Sequence, residues 1–275
     1  MHWVNIVNYI AWYIFVFISV VWIIVMLQNR GKYSGKGARK FPSVSVLIPA
    51  FNEEKTIGKT IKSVLALKYP KRLYEIIVIN DGSTDGTERI VRRLQKRGKI
   101  KLISNKRNRG KAYSLNRGIR VSRGELIACL DADSVVRPDI LEKTVGYFKD
   151  ESIGVVTPAL KVWRPRNFLE KIQYAEYLLN IFLRKALAFI DSIHVTPGVF
   201  SVYRKDVLKM AGGFEEGNLT EDMEIALKIH TLGYKIENNL DAVSYTVCPD
   251  RWRKLLKQRI RWYRGALQNL SLIHI

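Results

Sequence analysis

Residues 76–87 read Ile-Ile-Val-Ile-Asn-Asp-Gly-Ser-Thr-Asp-Gly-Thr, four consecutive apolar residues running straight into a polar turn. A strand that is apolar on successive positions has both faces covered, as in a parallel sheet flanked by helices. Runs rich in β-branched residues recur at Val44 to Ile48, Ile100 to Ile103 and Leu126 to Leu130, with helices predicted near 54–67, 86–97 and 111–122. Strands and helices alternating at this interval specify an α/β domain. Ligands of such sheets bind at the carboxyl ends of the strands. Three polar clusters fall at those ends, Pro49 to Glu54, Asn80 to Asp85 and Asp131-Ala-Asp133, and they are predicted to form one site.

Upstream, Trp3 to Leu27 holds 25 residues without a charge. As a helix this is roughly 37 Å long, more than the ~30 Å hydrocarbon core of a bilayer, and residues 1–28 are predicted to be a transmembrane anchor. A cleaved signal peptide would need a basic start, a shorter apolar run and a small-residue cleavage site, none of which is present. Arg30, Lys32, Lys36, Arg39 and Lys40 follow in a linker over 29–41, and no Lys or Arg precedes the span. The positive-inside rule then places the bulk of the chain on the cytoplasmic side of the cell membrane.

The 46 Lys and Arg against 25 Asp and Glu give +21, which alone would fit a non-catalytic binder of anionic lipid or nucleic acid. The distribution argues otherwise. Residues 28–125 carry 25 basic and 7 acidic side chains, whereas 126–250 carry 14 and 18, and Asp131, Asp133, Glu221 and Asp222 gather in that second part. A polyanion binder has little use for such carboxylates, and no nucleic-acid partner is expected. Two distant cysteines, with no His-Glu-x-x-His spacing, rule out a zinc cluster or a disulfide framework.

A helix predicted from about Asn167 to Ile190 keeps Glu170, Gln173, Asn180 and Arg184 on one stripe, with most other positions apolar. Its longest uncharged run is too short to span, so it packs on the domain or lies half-sunk at a membrane surface. Residues 251–275 hold seven basic residues and no acid, interspersed with Trp252, Leu255, Leu256, Tyr263, Ala266 and Leu267. They read as a basic amphipathic interfacial helix, or as a solvated basic face on a core helix.

Asp131 and Asp133 follow a buried strand, and two carboxylates one residue apart can hold a hard divalent cation that keeps positions open for diphosphate oxygens. Taken alone, Asp-x-Asp also suits a turn. Asp81 is either part of a turn, with Thr84 or Asp85 capping the next helix, or an acceptor for a nucleotide's base or ribose. Glu53 is a first-turn acid favoured by the helix dipole or a nucleotide contact. Thr220 is an expected N-cap for a helix through Met223 to His230, with Glu221 and Asp222 in its first turn. A carboxylate whose pKa is raised by burial also suits a general base. In Gln258-Arg259-Ile260-Arg261-Trp262, guanidinium groups suit phosphate oxygens and an indole suits a sugar face, unless the segment is a simple membrane anchor.

In order and spacing, Val44 to Glu54, Asn80 to Asp85, Asp131-Ala-Asp133, Thr220-Glu221-Asp222 and Gln258-x-x-Arg261-Trp262 resemble the family 2 glycosyltransferases. More narrowly they resemble the membrane synthases of cellulose, chitin, hyaluronan and poly-N-acetylglucosamine. The likeness covers about residues 42–265. It implies a GT-A fold, Rossmann-like with a mostly parallel sheet, over 42–250, and inverting transfer from a nucleotide-diphosphate sugar, expected to be a UDP-sugar, to a glycan hydroxyl in polysaccharide synthesis. It implies that Glu53, Asp81, Lys111 and Asp131 bind the donor and that Asp131 and Asp133 hold Mg²⁺ or Mn²⁺. Asp222 would be the catalytic base, while Glu221, Gln258, Arg259, Arg261 and Trp262 would bind the diphosphate and acceptor. Thr196-Pro-Gly198 and Gly212-Gly213-Phe214 also resemble family segments, although their glycines could serve turns. Single-sugar transfer to a polyprenyl phosphate, a lipid-linked acceptor, is the neighbouring alternative, and the Gln-x-x-Arg-Trp motif argues against it. Relatives that extrude polymer continue into several membrane helices, whereas this sequence ends at Ile275, so the expectation is confined to transfer.

Overall fold

All seven residues of β1 (Val44–Ala50) are buried because alternate side chains enter two different cores. Val46 and Ile48 meet Ile57 and Ile61 of α2 (Ile57–Leu65) and Val91 of α3 (Thr87–Gln95) on one face. Leu47 meets Leu115 and Ile119 of α4 (Lys111–Val121) and Ile225 and Ile229 of α8 (Glu221–Thr231) on the other. The result is a sheet between two helical layers, as the uninterrupted apolar runs require. The molecule is represented by a computed structural model, which describes residues 2–31, 41–96 and 100–273. Most of the expected basic linker lies outside the described residues.

The sheet has eight strands in the order β3-β2-β1-β4-β7-β6-β8-β5. β2 (Tyr74–Asn80), β3 (Ile100–Ser104) and β4 (Leu126–Leu130) extend β1 in parallel, so the polar clusters at the ends of β1, β2 and β4 share one edge. The second half is mixed. β7 (Val199–Arg204) runs antiparallel to β4 and to β6 (Ile153–Val162), β8 (Lys235–Thr246) is parallel to β6, and the short β5 (Val135–Val136) closes the edge antiparallel to β8. Where β7 meets β4, Ser201 pairs with Cys129 and Val199 with Leu130, leaving Phe200 as the extra residue of a bulge. Phe200 is fully buried at φ 72, a conformation rare outside glycine, immediately opposite the step into Asp131.

α1 (His2–Gln28) is long and apolar enough to cross a membrane, with a mean hydropathy of 2.7 over its most apolar window, and it touches α6 (Phe168–Ala188). α5 (Ile140–Val145) and α7 (Lys205–Met210) are short packing helices. α6 (Phe168–Ala188) opens on a capping box in which Asn167 and Glu170 satisfy each other's backbone N–H groups. Gln173 and Lys185 are buried on its inner side, while Phe168, Ile172, Leu179 and Phe182 are exposed on the outer one. α9 (Trp252–Ile273) divides similarly: Trp252, Leu256, Tyr263 and Leu267 face outward, and Gly265 and Asn269 are buried against Thr220.

Candidate active site at the strand ends

The ends of β1, β2 and β4 enclose a cleft of about 290 Å³ whose lining includes Glu53, Asp81, Lys111, Asp131 and Asp133. Its first two loops are stitched together. Asn52, at φ 56, donates its N–H to the Ser83 hydroxyl (3.0 Å) and accepts from the Thr84 N–H (2.9 Å). The Glu53 N–H donates to the Thr87 hydroxyl at 2.8 Å, and the Glu53 carboxylate accepts from Thr56 at 2.5 Å. Neither Thr84 nor Asp85 is the N-cap of α3, a place taken by Gly86 without a side-chain cap: Asp85, one residue earlier, accepts from the Thr87 N–H at 2.9 Å, while Thr84 is turned to Asn52. Asp81 is only 4% exposed. Its carboxylate accepts from the Asn105 side chain (2.6 Å) and from the N–H groups of Arg109 (3.1 Å) and Gly110 (2.8 Å), so it organises the 105–110 loop.

A larger cavity of about 600 Å³ joins this edge to the other half of the sheet and takes in Lys111, Asp131, Glu221, Asp222, Gln258 and Trp262. Lys111 Nζ bridges Asp131 (2.6 Å) and Glu221 (3.0 Å). Burial works against its charge, but the two carboxylates overcome that and hold the ammonium well above the ordinary lysine range. Glu221 is correspondingly lowered by Lys111 in spite of its burial. Asp131 and Asp133 are raised by burial, Lys111 opposing the shift at the first and the Ser134 hydroxyl at the second. Two desolvated oxygen donors one residue apart, short of positive charge at Asp133, fit a hard divalent cation that takes its remaining ligands from water or a diphosphate. Among the described residues no third acidic, His or Cys side chain completes a cage around them.

Asp222 sits half-buried at the head of α8, with its carboxyl pushed up to about 6 by desolvation and by the charge of Glu221. Its carboxylate accepts from the Met223 N–H at 3.0 Å. Thr220 occupies the N-cap position but does not cap with its side chain. Its hydroxyl instead accepts from Asn269 of α9 at 3.0 Å, because Gly265 lets α9 press directly onto it. The expected capping role of Thr220 is corrected accordingly.

Three of the four expected residues of α9 face the larger cavity: Gln258, Arg261 and Trp262. Gln258 Oε1 is buried without a hydrogen-bond partner, and Arg261 donates to the Leu219 carbonyl at 2.9 Å. Arg259 is elsewhere. Its guanidinium pairs with Glu176 of α6 at 2.6 Å and lies 4.5 Å from the centre of the Trp262 ring, away from the strand-end carboxylates. Three residues along a helix turn a side chain through about 300°, which carries Gln258 and Arg261 to one side and Arg259 to the other. Behind Trp262 a further cavity of about 510 Å³ opens between α6 and α9, with Asp222 shared between the two.

The family model for Glycosyl transferase family 2 matches residues 45–211, more than half of the chain. The chain belongs to glycosyl transferase family 2. Among curated members it is 32% identical over 273 residues to a poly-beta-1,6-N-acetyl-D-glucosamine synthase of Staphylococcus epidermidis, covering 95% of this chain and 66% of that protein. It is 30% identical over 262 residues to the synthase of the same description from Staphylococcus aureus, covering 91% and 63%. The chain thus spans just under two thirds of the length of these relatives. Among solved structures, the mannosyltransferase PcManGT from Pyrobaculum calidifontis, in complex with GDP-Man and Mn²⁺, superposes with a TM-score of 0.77 at 25% identity, covering 92% of this chain and 70% of that one. Staphylococcus aureus TarS in complex with UDP-GlcNAc gives 0.59 at 20% identity over 76% of this chain and 59% of that one, and shares the fold.

Three family 2 residues of this site carry more than their sequence context announced. Gly198 is not there for a turn: a Cβ at that position would collide with Lys111 Nζ and lie 2.9 and 3.0 Å from the two Asp131 oxygens. Thr196 donates both its N–H and its hydroxyl to the carbonyl of Asp222. Glu176 fixes Arg259, and it shares the i, i+4, i+8 stripe with Asn180 and Arg184, a spacing visible in the sequence before its partner was.

Proposed function

We propose that this chain is a membrane-anchored, metal-dependent glycosyltransferase that moves a sugar, with inversion, from a nucleotide-diphosphate donor to a glycan hydroxyl in polysaccharide synthesis. The observation that carries this reading is the gathering of Asp131, Lys111, Asp222 and Trp262 around one cavity. Donor-type, base-type and sugar-platform groups are then within one ligand's length of each other.

In this reading Glu53 and Asp81 shape the nucleoside end, Asp81 chiefly through the 105–110 loop that it holds. Asp131 and Asp133 would hold Mg²⁺ or Mn²⁺, which when bound supplies charge compensation to the diphosphate, and the Mn²⁺ named with PcManGT supports that choice. Lys111 and Arg261 add fixed positive charge on the same side, where the departing nucleoside diphosphate gathers negative charge. Asp222 takes the proton from the acceptor hydroxyl as that oxygen attacks the anomeric carbon from the face opposite the leaving group. Glu221 keeps Lys111 in place, Gln258 offers a free carbonyl oxygen to a hydroxyl, and Trp262 supports the acceptor ring. Arg259 acts indirectly, by bridging the Trp262 indole to Glu176 of α6.

The likeness to poly-N-acetylglucosamine synthases makes N-acetylglucosamine carried on uridine diphosphate the first donor to try. Residues 1–28 are read as the anchor, 29–41 as the linker, 42–250 as the catalytic domain and 251–275 as an interfacial segment, with the basic residues after the span holding the domain on the cytoplasmic side. The test is release of nucleoside diphosphate by the detergent-solubilised chain from a panel of nucleotide sugars with Mg²⁺ or Mn²⁺. Turnover should disappear in excess chelator and in Asp133→Ala. No release from any donor, or full activity in chelator, refutes the corresponding part of the reading.

A further inference from the structure

The cavity between α6 and α9 has a chemistry that proton transfer does not use. Glu176, Asn180 and Arg184 succeed one another at four-residue intervals on α6 and line it from one side. Glu176 is engaged by Arg259, but Arg184 Nη1 is buried and has no hydrogen-bond partner, and Arg184 forms no ion pair among the described residues. A guanidinium has donors only and keeps its proton at neutral pH, so this buried N–H calls for an acceptor oxygen from a ligand. Much of the remaining wall is apolar, including Leu187, Ile193, Val195 and Met223. Asp222 and Trp262 also border the cavity, which makes it continuous with the position of the acceptor hydroxyl.

We infer that this cavity is a second acceptor subsite, seating the sugar next to the one on Trp262 and recognising an acylamino substituent on it, with Arg184 donating to the acyl carbonyl. The inference rests on the glycan-extending reading above. An acylamino group matches both halves of the wall: its carbonyl oxygen satisfies the orphaned N–H, and its methyl covers apolar surface that a bare hydroxyl would leave wetted. A phosphate or carboxylate matches less well, because Arg259, the other guanidinium of the wall, is already paired with Glu176, and the charge of Arg184 is already faced by that of Asp222. The volume, about 510 Å³, is within the ~300–1,000 Å³ of ordinary ligand sites.

The test compares a trisaccharide of N-acetylglucosamine with the glucose trisaccharide of the same linkage, which carries a hydroxyl in place of each acetamido group. Binding to the full detergent-solubilised chain is followed by quenching of tryptophan fluorescence, which needs no turnover. The acetylated probe should bind about tenfold tighter or more, as expected for a hydrogen bond to a charged donor plus methyl burial. Arg184→Gln should bring the two probes within about twofold and leave nucleotide affinity unchanged. Ala266→Leu, which fills the cavity from the α9 side, should remove the preference independently, with thermal unfolding reporting that each variant folds. Equal binding of the two probes by the parent chain overturns the inference, as does a preference that survives in Arg184→Gln. Tight binding of a short-chain prenyl phosphate that Arg184→Gln abolishes would assign the cavity to a lipid phosphate instead. Absence of turnover with every nucleotide sugar would count against the glycosyltransferase reading, while the binding comparison decides the subsite by itself.

Discussion

Thr196 gives both of its donors to a single atom of Asp222: the N–H reaches the Asp222 carbonyl at 3.1 Å and the hydroxyl reaches it at 2.9 Å. Tyr203, fully buried under the sheet, donates to that same hydroxyl at 2.9 Å. The backbone beneath the carboxylate is thereby tied to β7 and through it to β4, the strand that delivers Asp131. Thr196→Val removes two bonds at nearly constant volume, the one given to Asp222 and the one accepted from the buried Tyr203 hydroxyl, worth about 1–3 kcal/mol together. Turnover should fall roughly three- to tenfold with nucleotide affinity unchanged. Asp222→Asn, in contrast, should lower the rate by about 10²–10⁴ with donor affinity within a few fold. Collapse of donor binding in Asp222→Asn would identify the residue as a ligand or a structural element rather than the base.

The raised carboxyl of Asp222 sets a pH dependence. Its ordinary pKa of 3.8 becomes about 6 in the folded protein, so the ionised form required of a base is lost as pH falls through 6. Plotted against pH, kcat/KM should climb through that region and level off above it. Glu221→Gln removes the neighbouring negative charge that contributes to the shift, and the acid limb should move to lower pH. A limb that stays in place in Glu221→Gln, or the absence of any limb between pH 5 and 7, contradicts the assignment.

At Gly198 the expected effect is steric. A methyl there must displace the Lys111 ammonium from Asp131. Gly198→Ala should weaken nucleotide-sugar binding by about tenfold or more and leave thermal stability nearly unchanged, because the atoms that must give way are the ends of the Lys111 and Asp131 side chains. Calorimetric titration with the nucleotide, together with thermal unfolding, reads both. Parent-like affinity would mean that Lys111 does not serve the donor.

Trp252 and Trp262 share one helix, yet Trp252 is 68% exposed while Trp262 lies between two cavities under the Arg259 guanidinium. Trp262→Ala should cripple transfer and spare donor binding, whereas Trp252→Ala should chiefly loosen association with lipid vesicles. Arg261→Lys should also be damaging, since an ammonium lacks the planar fork. Equal and mild effects of the two tryptophan substitutions on transfer would favour a plain anchor.

The parallel half of the sheet was legible because β1, β2 and β4 are almost wholly apolar and end in clusters of turn-forming and acidic residues. β6 and β8 were not, because their interior positions include polar residues whose partners come from other elements. Asn238 donates to Thr157 across the β6 to β8 pair at 3.0 Å, and Asn239 donates to the Lys143 carbonyl at 2.9 Å. Such partners are invisible to hydrophobic patterning. The same holds within the site. Carboxylates at strand ends can be read from local sequence, but the attachment of Arg259 to Glu176, 83 residues away, depends on how two helices cross. Thr220 misled for a related reason: a residue suited to cap its own helix was claimed by another one.

That claim on Thr220 has a mechanical consequence. Asn218, Leu219 and Thr220 are each fastened to α9, by Asn269 at 2.7 Å, by Arg261 at 2.9 Å and by Asn269 at 3.0 Å respectively. With Gly265 removing any spacer, the segment leading into Asp222 and the helix bearing Trp262 form a single lever. A tilt of α9 cannot slide the indole without also dragging the carboxylate two residues along from the fastening. The gap between the Trp262 indole and the Asp222 carboxylate is therefore a fixed dimension of the part, like the jaw of a wrench, and a tilt of α9 re-aims that jaw without changing its width.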